Sequence, residues 1–596
     1  MRAQLRGGEE IAVAVESAWP RSATPIPFVE KADLPRWLVW VRRYGFVLVA
    51  YLGVTSATGA YNMGDTLYYS RLILASKFGE FGHLLWYPLG WSFSHLLMPV
   101  NRLMVGADAR ANVIMTLMTI SWLAGLASVF MLHGVVRKIS EREWAAYLAT
   151  IGLIFSQGFL NHVHTACSYS LGLSLLLFGM YLSVTGGETP GQSPARGWGA
   201  GVAFAGAMGL WGNYALAIPA ALAFPLLVYG FDKGRWRFVL QSAVAFALAT
   251  ALVYGSAAAL QGIHSAADLK DWITSSTHGI NRIFGVPRMA FGFARSFINM
   301  DNDGTLFKRF VVHDPLNPVS LSDLFRVSLW KLSLFYFVLG STVVMLLRSE
   351  RGRRILGFLA LTAAPVLAFA VVWQGGDMER YIPLYPAFFV SLACCLSSGR
   401  SPRWFKFVVV MFITTAVISS VGTMATPALA HRQNQVIMRI KDLQPLLTPH
   451  SLVSTVTLRD EVQTFCSDFP LHPINRAGSL SVDAIVAPGT IQVPWWRQIF
   501  GSRTLAAWSA GGDVWVSKRV LSSRPRSEWI WVEGDDPRVL WADIYGFFSG
   551  LQMGRSVGGD DGFALLLPSP RNREFLNGWL ESGPDSTHVH SADCSP

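Results

Sequence analysis

Charge is scarce in this chain. Only 15% of its 596 residues are Asp, Glu, Lys or Arg, while 52% are hydrophobic. Soluble globular chains carry about a quarter charged residues, so a wholly soluble fold is excluded and much of the surface must face lipid. Cysteine is scarce too. None of the five Cys has zinc-site spacing, so no structural zinc module is expected. Cys394 and Cys395 fall inside an apolar run, whereas Cys466 and Cys594 lie near the C-terminus and would pair only in an oxidising compartment. Residues 1–36 hold Glu9, Glu10, Glu16 and several Pro without an apolar secretory core, and are expected to form a short disordered cytoplasmic tail. No internal repeat emerges, which argues against an inverted-repeat transporter.

What the chain does have is apolar runs of about 16 to 24 residues, near the length that crosses the hydrocarbon core. Its 22 Trp and 16 Tyr suit two interfacial belts. The net charge of +11 sits mainly in short loops between apolar runs, so topology accounts for it and nucleic acid is not an expected partner. The first run, 44–60, follows Arg36, Arg42 and Arg43, which puts the N-terminus in the cytoplasm by the positive-inside rule. The next, 84–100 (LLWYPLGWSFSHLLMPV), is ambiguous. If it does not cross, spans follow at 112–134, 145–160, 168–185, 199–212, 214–230, 239–260, 328–347, 355–373, 382–397 and 407–422. The clusters Arg137/Lys138/Arg142, Arg196, Lys233/Arg235/Arg237, Arg348/Arg351/Arg353/Arg354 and Arg400/Arg403/Lys406 then all face inward. If it crosses, all five face outward. One interfacial or re-entrant segment is the smaller violation.

The expected fold is therefore a polytopic α-helical membrane protein of about eleven transmembrane helices, N-in and C-out, in the bacterial inner membrane. Residues 37–424 form the membrane domain, with outer loops 61–111 and 261–327. Residues 425–596 form a soluble extracytoplasmic domain, α/β or α+β, since short β-branched runs (SLVSTVTL, AIVAP, VWVSKRV, WIWVEG) mix with helical stretches such as Pro537–Leu551.

Charge avoids the spans, leaving His133 near a span end and Asn213 in a tight hairpin as interior candidates. Carriers usually keep an ionisable group within the membrane, so this distribution favours interfacial chemistry. Four outer segments carry candidates. In Tyr61-Asn62-Met63-Gly64-Asp65-Thr66-Leu67-Tyr68-Tyr69, Asp65 stands just past the first span beside Tyr68 and Tyr69, where a carboxylate either takes a proton from an acceptor or caps the amphipathic stretch that follows. His162 and His164 share a strand face but not a helix face, and no acid or Cys completes a metal spacing around them. They read as solvated loop residues or as phosphate or substrate contacts. In Gly375-Gly376-Asp377-Met378-Glu379-Arg380-Tyr381, the Arg380 guanidinium suits a lipid phosphate, or else snorkels beside Asp377 or Glu379. The loop 261–327 holds His278, Asn281, Arg282, Arg295, Asn299 and Lys308. Its Asp301-Asn302-Asp303-Gly304 lacks the closing Glu of a calcium loop and reads as a turn.

Over roughly 40–425 the chain resembles the GT-C superfamily of integral-membrane glycosyltransferases, which includes protein mannosyltransferases and aminoarabinose transferases. The resemblance rests on Gly64-Asp65 with Tyr68-Tyr69 after the first span, interfacial segments in that loop, Glu379-Arg380-Tyr381 with Pro383 and Pro386, and a soluble domain after the last span. It implies transfer of a sugar from a polyprenyl-phosphate donor to a glycan, lipid or protein acceptor at the outer face, with inversion. Asp65 would be the general base, and Arg380, Tyr381, His162, His164, Tyr68 and Tyr69 the substrate or lipid-phosphate contacts. No cofactor and no metal are expected. The chain departs from several subfamilies in having Thr66 where they carry a second acid.

Two other classes remain open. An O-antigen polymerase or ligase would rely on His278, Arg282, Arg295 and Lys308 in the long loop rather than on Asp65. A transporter or assembly scaffold would need polar residues within the spans, which are few. Trp495-Trp496 and Trp529/Trp531 in the C-terminal domain are either sugar contacts or core and interface anchors.

Overall fold

The computed structural model describes residues 36–58, 66–105, 109–188, 194–275, 285–300, 305–311, 313, 318–399, 401–425, 442–448, 450–455, 478–481, 496–522, 537–559 and 562–581. Helices dominate up to residue 425. The chain opens with α1 (Arg36–Thr58), α2 (Thr66–Leu74) and α3 (Trp86–Val105), followed by α4 (Ala109–Ser140), α5 (Glu143–Ile154), α6 (Gln157–His162), α7 (Tyr169–Glu188) and α8 (Pro194–Leu210). Next come α9 (Gly212–Tyr229), which opens with a 3₁₀ turn, α10 (Lys233–Leu260), α11 (Ala266–Ser275), α12 (Val286–Phe297) and α13 (Thr305–Val311). The last four are α14 (Leu321–Leu347), α15 (Glu350–Val372), α16 (Met378–Ser397) and α17 (Arg403–Ala425).

Seven of these, α4, α9, α10, α14, α15, α16 and α17, are long and apolar enough to cross a membrane. The helices α1 and α3, of 23 and 20 residues, fall outside that set. The ambiguous 84–100 run is thus most of one continuous helix, α3, with Pro99 inside it.

The expected span 145–160 is not one helix. It breaks at Phe155–Ser156, where Ser156 turns extended (φ −66°, ψ 129°) and its hydroxyl donates to the Gly152 carbonyl at 2.7 Å. The short α6 restarts beyond the break and carries Gln157, Asn161 and His162 into the interior. Gly158 permits its approach to α16, since a Cβ there would lie 2.5 Å from the Tyr385 hydroxyl.

Basic loops gather at one end of the bundle. Arg351 at the start of α15 donates to the carbonyl of Ile139 at the end of α4, and the Lys406 ammonium stands 5.8 Å from the Trp144 ring. The Arg354 guanidinium lies beside Gly230, next to Arg235. From that end α15 climbs 23 residues, about 34 Å at 1.5 Å per residue, to the turn at Trp373–Asp377.

The C-terminal domain is a five-stranded sheet ordered β2-β1-β3-β5-β4, made of β1 (Leu452–Thr455), β2 (Gly478–Ser481), β3 (Val514–Ser517), β4 (Met553–Val557) and β5 (Phe563–Leu566). The first three strands are parallel and the last two join antiparallel. Helices α18 (Trp496–Ser509), α19 (Pro537–Ser549) and α20 (Pro570–Glu581) contribute Phe500, Trp508, Phe547, Phe548 and Leu576 to a core with Val514 and Val516 on one face, while Val453, Trp515 and Phe563 pack on the other. All four residues of β3 are buried, as a central strand covered on both faces requires. Cys466, Cys594, Trp495, Trp529 and Trp531 lie outside the described residues.

Candidate functional site

The site is built on the turn between α15 and α16. Trp373 leaves the helix extended, and Gln374 takes a left-handed φ of +46°, which reverses the chain. The next two residues, Gly375 and Gly376, lie flat on α12. Gly292 makes this contact, because a Cβ on it would fall 2.0 Å from the Gly375 carbonyl oxygen. The Tyr381 hydroxyl is shared between the carbonyls of Gly375 (2.6 Å) and Met289 (2.9 Å). Tyr381 is fully buried. Its hydroxyl therefore pins the turn to α12, and it is not an exposed contact for a ligand.

This packing collects charge. The Arg295 guanidinium donates to the Gly376 carbonyl at 3.2 Å, and Arg288 crosses the same glycine, with its Nε 3.0 Å from where a Cβ would stand. Asp377, next to Gly376 in the chain, lies within electrostatic reach of Glu379 and of the guanidinium groups of Arg380, Arg288 and Arg295. Burial and the neighbouring Glu379 push its carboxyl up to about 6 against the pull of the three arginines. The buried Nε of Arg380 has no hydrogen-bond partner, and no described acid pairs with its side chain, so the pairing with Asp377 or Glu379 is absent. Glu379 instead faces His162, at 3.9 Å.

His162 and His164 are buried, at 6% and 8% exposure, and are not solvated loop residues. The break before α6 is the reason, since it folds the loop inward. The two rings diverge. His164 Nε2 meets the Thr58 hydroxyl at the end of α1 (2.8 Å), and desolvation lowers its pKa to about 4. His162 packs edge-on to Tyr169, ring centres 4.8 Å apart, and so faces the charged turn.

Tyr169 also lies 6.4 Å from His83, which connects the turn to the first outer loop. His83 Nδ1 is 3.0 Å from the Leu210 carbonyl, an acceptor only, so Nδ1 carries the proton and Nε2 accepts from the Tyr69 hydroxyl at 3.2 Å. Tyr87 packs on Tyr69 and donates to Glu80. Tyr69 is fully buried, whereas its neighbour Tyr68 is 38% exposed. Asp65 lies outside the described residues, as do His278, Asn281, Arg282 and Asp301–Asp303.

Sequence reasoning missed Arg288 and gave Arg295 only a place in the long loop. The signal was available, because Met289, Phe293 and Phe297 recur at four-residue spacing and mark 286–297 as an amphipathic helix. Below the charged turn, Asn299 donates to Gln157 (3.1 Å) and Thr423 (2.9 Å), and its carbonyl accepts from Lys331 (2.8 Å) and Ser419 (2.9 Å). Among the described residues no group of three or more His, Cys, Asp or Glu is placed to hold a metal ion.

No family model matches the chain, and no curated protein does. Two solved structures of ArnT from Cupriavidus metallidurans are similar to it. The form bound to undecaprenyl phosphate is 10% identical over 89% of this chain and 98% of that one, with a TM-score of 0.46. The apo form is 11% identical over 92% and 99%, with a TM-score of 0.47. At these values the likeness assigns neither activity nor ligand to this chain.

Proposed function

We propose that the chain is a GT-C-type membrane glycosyltransferase that moves a sugar from a polyprenyl-phosphate donor to an acceptor at the outer face of the inner membrane. One observation carries the reading. The Arg288 and Arg295 guanidinium groups lie against Gly376, that of Arg380 is close enough to pull on the Asp377 carboxyl, and the buried Arg380 Nε has no hydrogen-bond partner among the described residues. Planar guanidinium forks match phosphate oxygens, and a half-buried site strengthens that attraction. The turn lies one helix length from the basic end of the bundle, which the positive-inside rule assigns to the cytoplasm.

In the proposed reaction the acceptor oxygen attacks the anomeric carbon, and the bond from that carbon to the phosphate oxygen breaks in one inverting displacement. The phosphate leaves with the electron pair, and the arginines stabilise the charge that develops on it. Asp65 takes the acceptor proton. His162 and Tyr68 are proposed substrate contacts. Tyr69, Tyr381 and His164 act by holding the walls, because their polar atoms are engaged with protein.

The test is transfer from labelled polyprenyl-phosphate sugars in membranes expressing wild type or Asp65→Asn. A loss of about a hundredfold or more at equal expression supports the base, within the range for a positioned acid–base group. Transfer that survives removes Asp65 from the chemistry. The polymerase or ligase reading gains from Arg295, which does reach the site. Turnover of a diphosphate-linked oligosaccharide with no use of the monophosphate-linked sugar would favour it.

A further inference from the structure

We propose that Asp377 is the charge-adjusting group of the arginine cluster, taking up a proton from solvent when a dianion binds there. This deepens the anion-site reading above and rests on it. The cluster holds three guanidinium groups and two carboxylates, those of Asp377 and Glu379, so with both acids ionised it is singly positive. That matches a phosphodiester donor, which carries one negative charge. The leaving polyprenyl phosphate is a monoester with a charge of about −1.5 to −2 at neutral pH. Within these five groups, a second unit of positive charge appears only if one carboxylate becomes neutral.

Geometry selects Asp377 over Glu379. Glu379 has a partner in His162 at 3.9 Å. Asp377 lies in the turn itself, where its backbone carbonyl accepts from the Arg380 N–H at 3.3 Å, and its side chain forms no ion pair with any described residue. Three elements contribute the charged groups. Arg288 and Arg295 come from α12, Glu379 and Arg380 from α16, and His162 from α6. Tyr336 of α14 donates to the Ala290 carbonyl. Burial and Glu379 already hold the Asp377 carboxyl up at about 6, and an anion bound among the arginines raises it further by removing the charge that opposes protonation.

The test uses the full chain in detergent or nanodiscs with inorganic sulfate, a dianion whose own charge is constant across the range examined. Binding is followed by calorimetry from about pH 5 to pH 8, in buffers of different ionisation enthalpy, so that proton uptake is read directly. For wild type, sulfate affinity is expected to fall above pH 6, by up to about tenfold per pH unit, with uptake approaching one proton per anion. Asp377→Asn should bind with a flat pH profile and no uptake, and His162→Gln should keep the wild-type slope. A flat wild-type profile with binding intact overturns the proposal, as does a His162→Gln variant that loses the slope. Sulfate that binds neither wild type nor Asp377→Asn overturns the anion site itself. The wild-type uptake measurement stands even if Asp377→Asn fails to fold.

Discussion

His164 illustrates how one buried side chain sets a pH limit on the whole protein. Among the described residues its ring hydrogen-bonds only the Thr58 hydroxyl, and desolvation holds its folded pKa near 4, below the unfolded value of 6.5. Between those values the unfolded chain binds a proton that the folded chain refuses, so stability rises with pH across the window. The contribution is complete above about pH 6.5 and is lost as pH falls toward 4, with a slope of up to about 1.4 kcal/mol per pH unit. His164→Gln keeps a hydrogen-bonding side chain but cannot titrate. Its thermal midpoint should change less than that of wild type between pH 7 and pH 4.5, and an identical pH profile would show that His164 is not the sensing group. Gly292 sets a second limit at this scale. Gly292→Ala places a methyl 2.0 Å from the Gly375 carbonyl oxygen, against the backbone of Gly375 and Gly376. A cost of about 1–3 kcal/mol is expected, together with displacement of Arg295 from the turn. Anion binding should therefore weaken by more than the loss of stability alone explains.

Among the elements, α12 matters most, since it supplies Arg288 and Arg295 and a row of aromatic rings. Phe293 and Phe297 interlock with Phe335 of α14 and with Tyr381 and Phe388 of α16 at centroid distances of 4.5–5.5 Å. Its far end is held at Asn299, whose carbonyl accepts from Lys331 and Ser419 while its amide reaches Gln157 and Thr423. Both helices that grip it contain π-helical turns nearby, at Phe325–Leu329 and Val421–Ala425. A π turn leaves the i→i−4 ladder locally, a feature enriched at functional positions. Lys331→Met keeps the length of the side chain and removes its donors. Because Ser419 still serves the Asn299 carbonyl, a modest stability loss of about 1–3 kcal/mol is expected. The donor KM should rise while kcat changes little, and an unchanged KM would show that the clamp does not position the arginines. The long spans were legible in the sequence, as α4, α10, α15 and α17 follow their apolar runs within a few residues to a turn or so. The break at Phe155–Ser156 was not, because the apolar run continues through Leu153, Ile154, Phe155 and Phe159 and carries no Pro or Gly at the break itself. The inward position of His162 depends on that break. His162 and His164, which the sequence left open as solvated loop residues, are therefore buried instead. For α12 the reason is length, because twelve residues with two arginines cannot span a membrane and were absorbed into a loop.

For the molecule as a whole, the sidedness argument from basic loops gains a geometric counterpart. The clusters at 137–142, 196, 233–237, 348–354 and 400–406 were assigned to one side by charge alone, and the contacts of Arg351 with Ile139, Lys406 with Trp144 and Arg354 with the Gly230 turn join four of them at one end of the bundle. The charged turn stands at the opposite end of α15. Its arginines do not contradict the positive-inside rule, which concerns short hydrated loops, because Arg288 and Arg295 are packed against the Gly375–Gly376 backbone. A direct test places single cysteines in an otherwise cysteine-free chain at exposed positions on either side. Arg353→Cys marks the basic end, Lys270→Cys the outer loop, and Glu574→Cys the surface of the C-terminal domain. With a membrane-impermeant maleimide on spheroplasts, Lys270→Cys and Glu574→Cys should label at once, and Arg353→Cys only after permeabilisation. Labelling of Arg353→Cys from outside would invert the whole topology. It would move the arginine turn to the cytoplasm, where an outward-facing lipid-linked donor cannot reach it, and the proposed reaction would fall with it. Labelling of Lys270→Cys without Glu574→Cys would instead leave the site outside and add or remove one crossing between α11 and α20. The positive-inside rule would put Arg36, Arg42 and Arg43 on the same side as the later basic loops only if the 84–100 run does not cross.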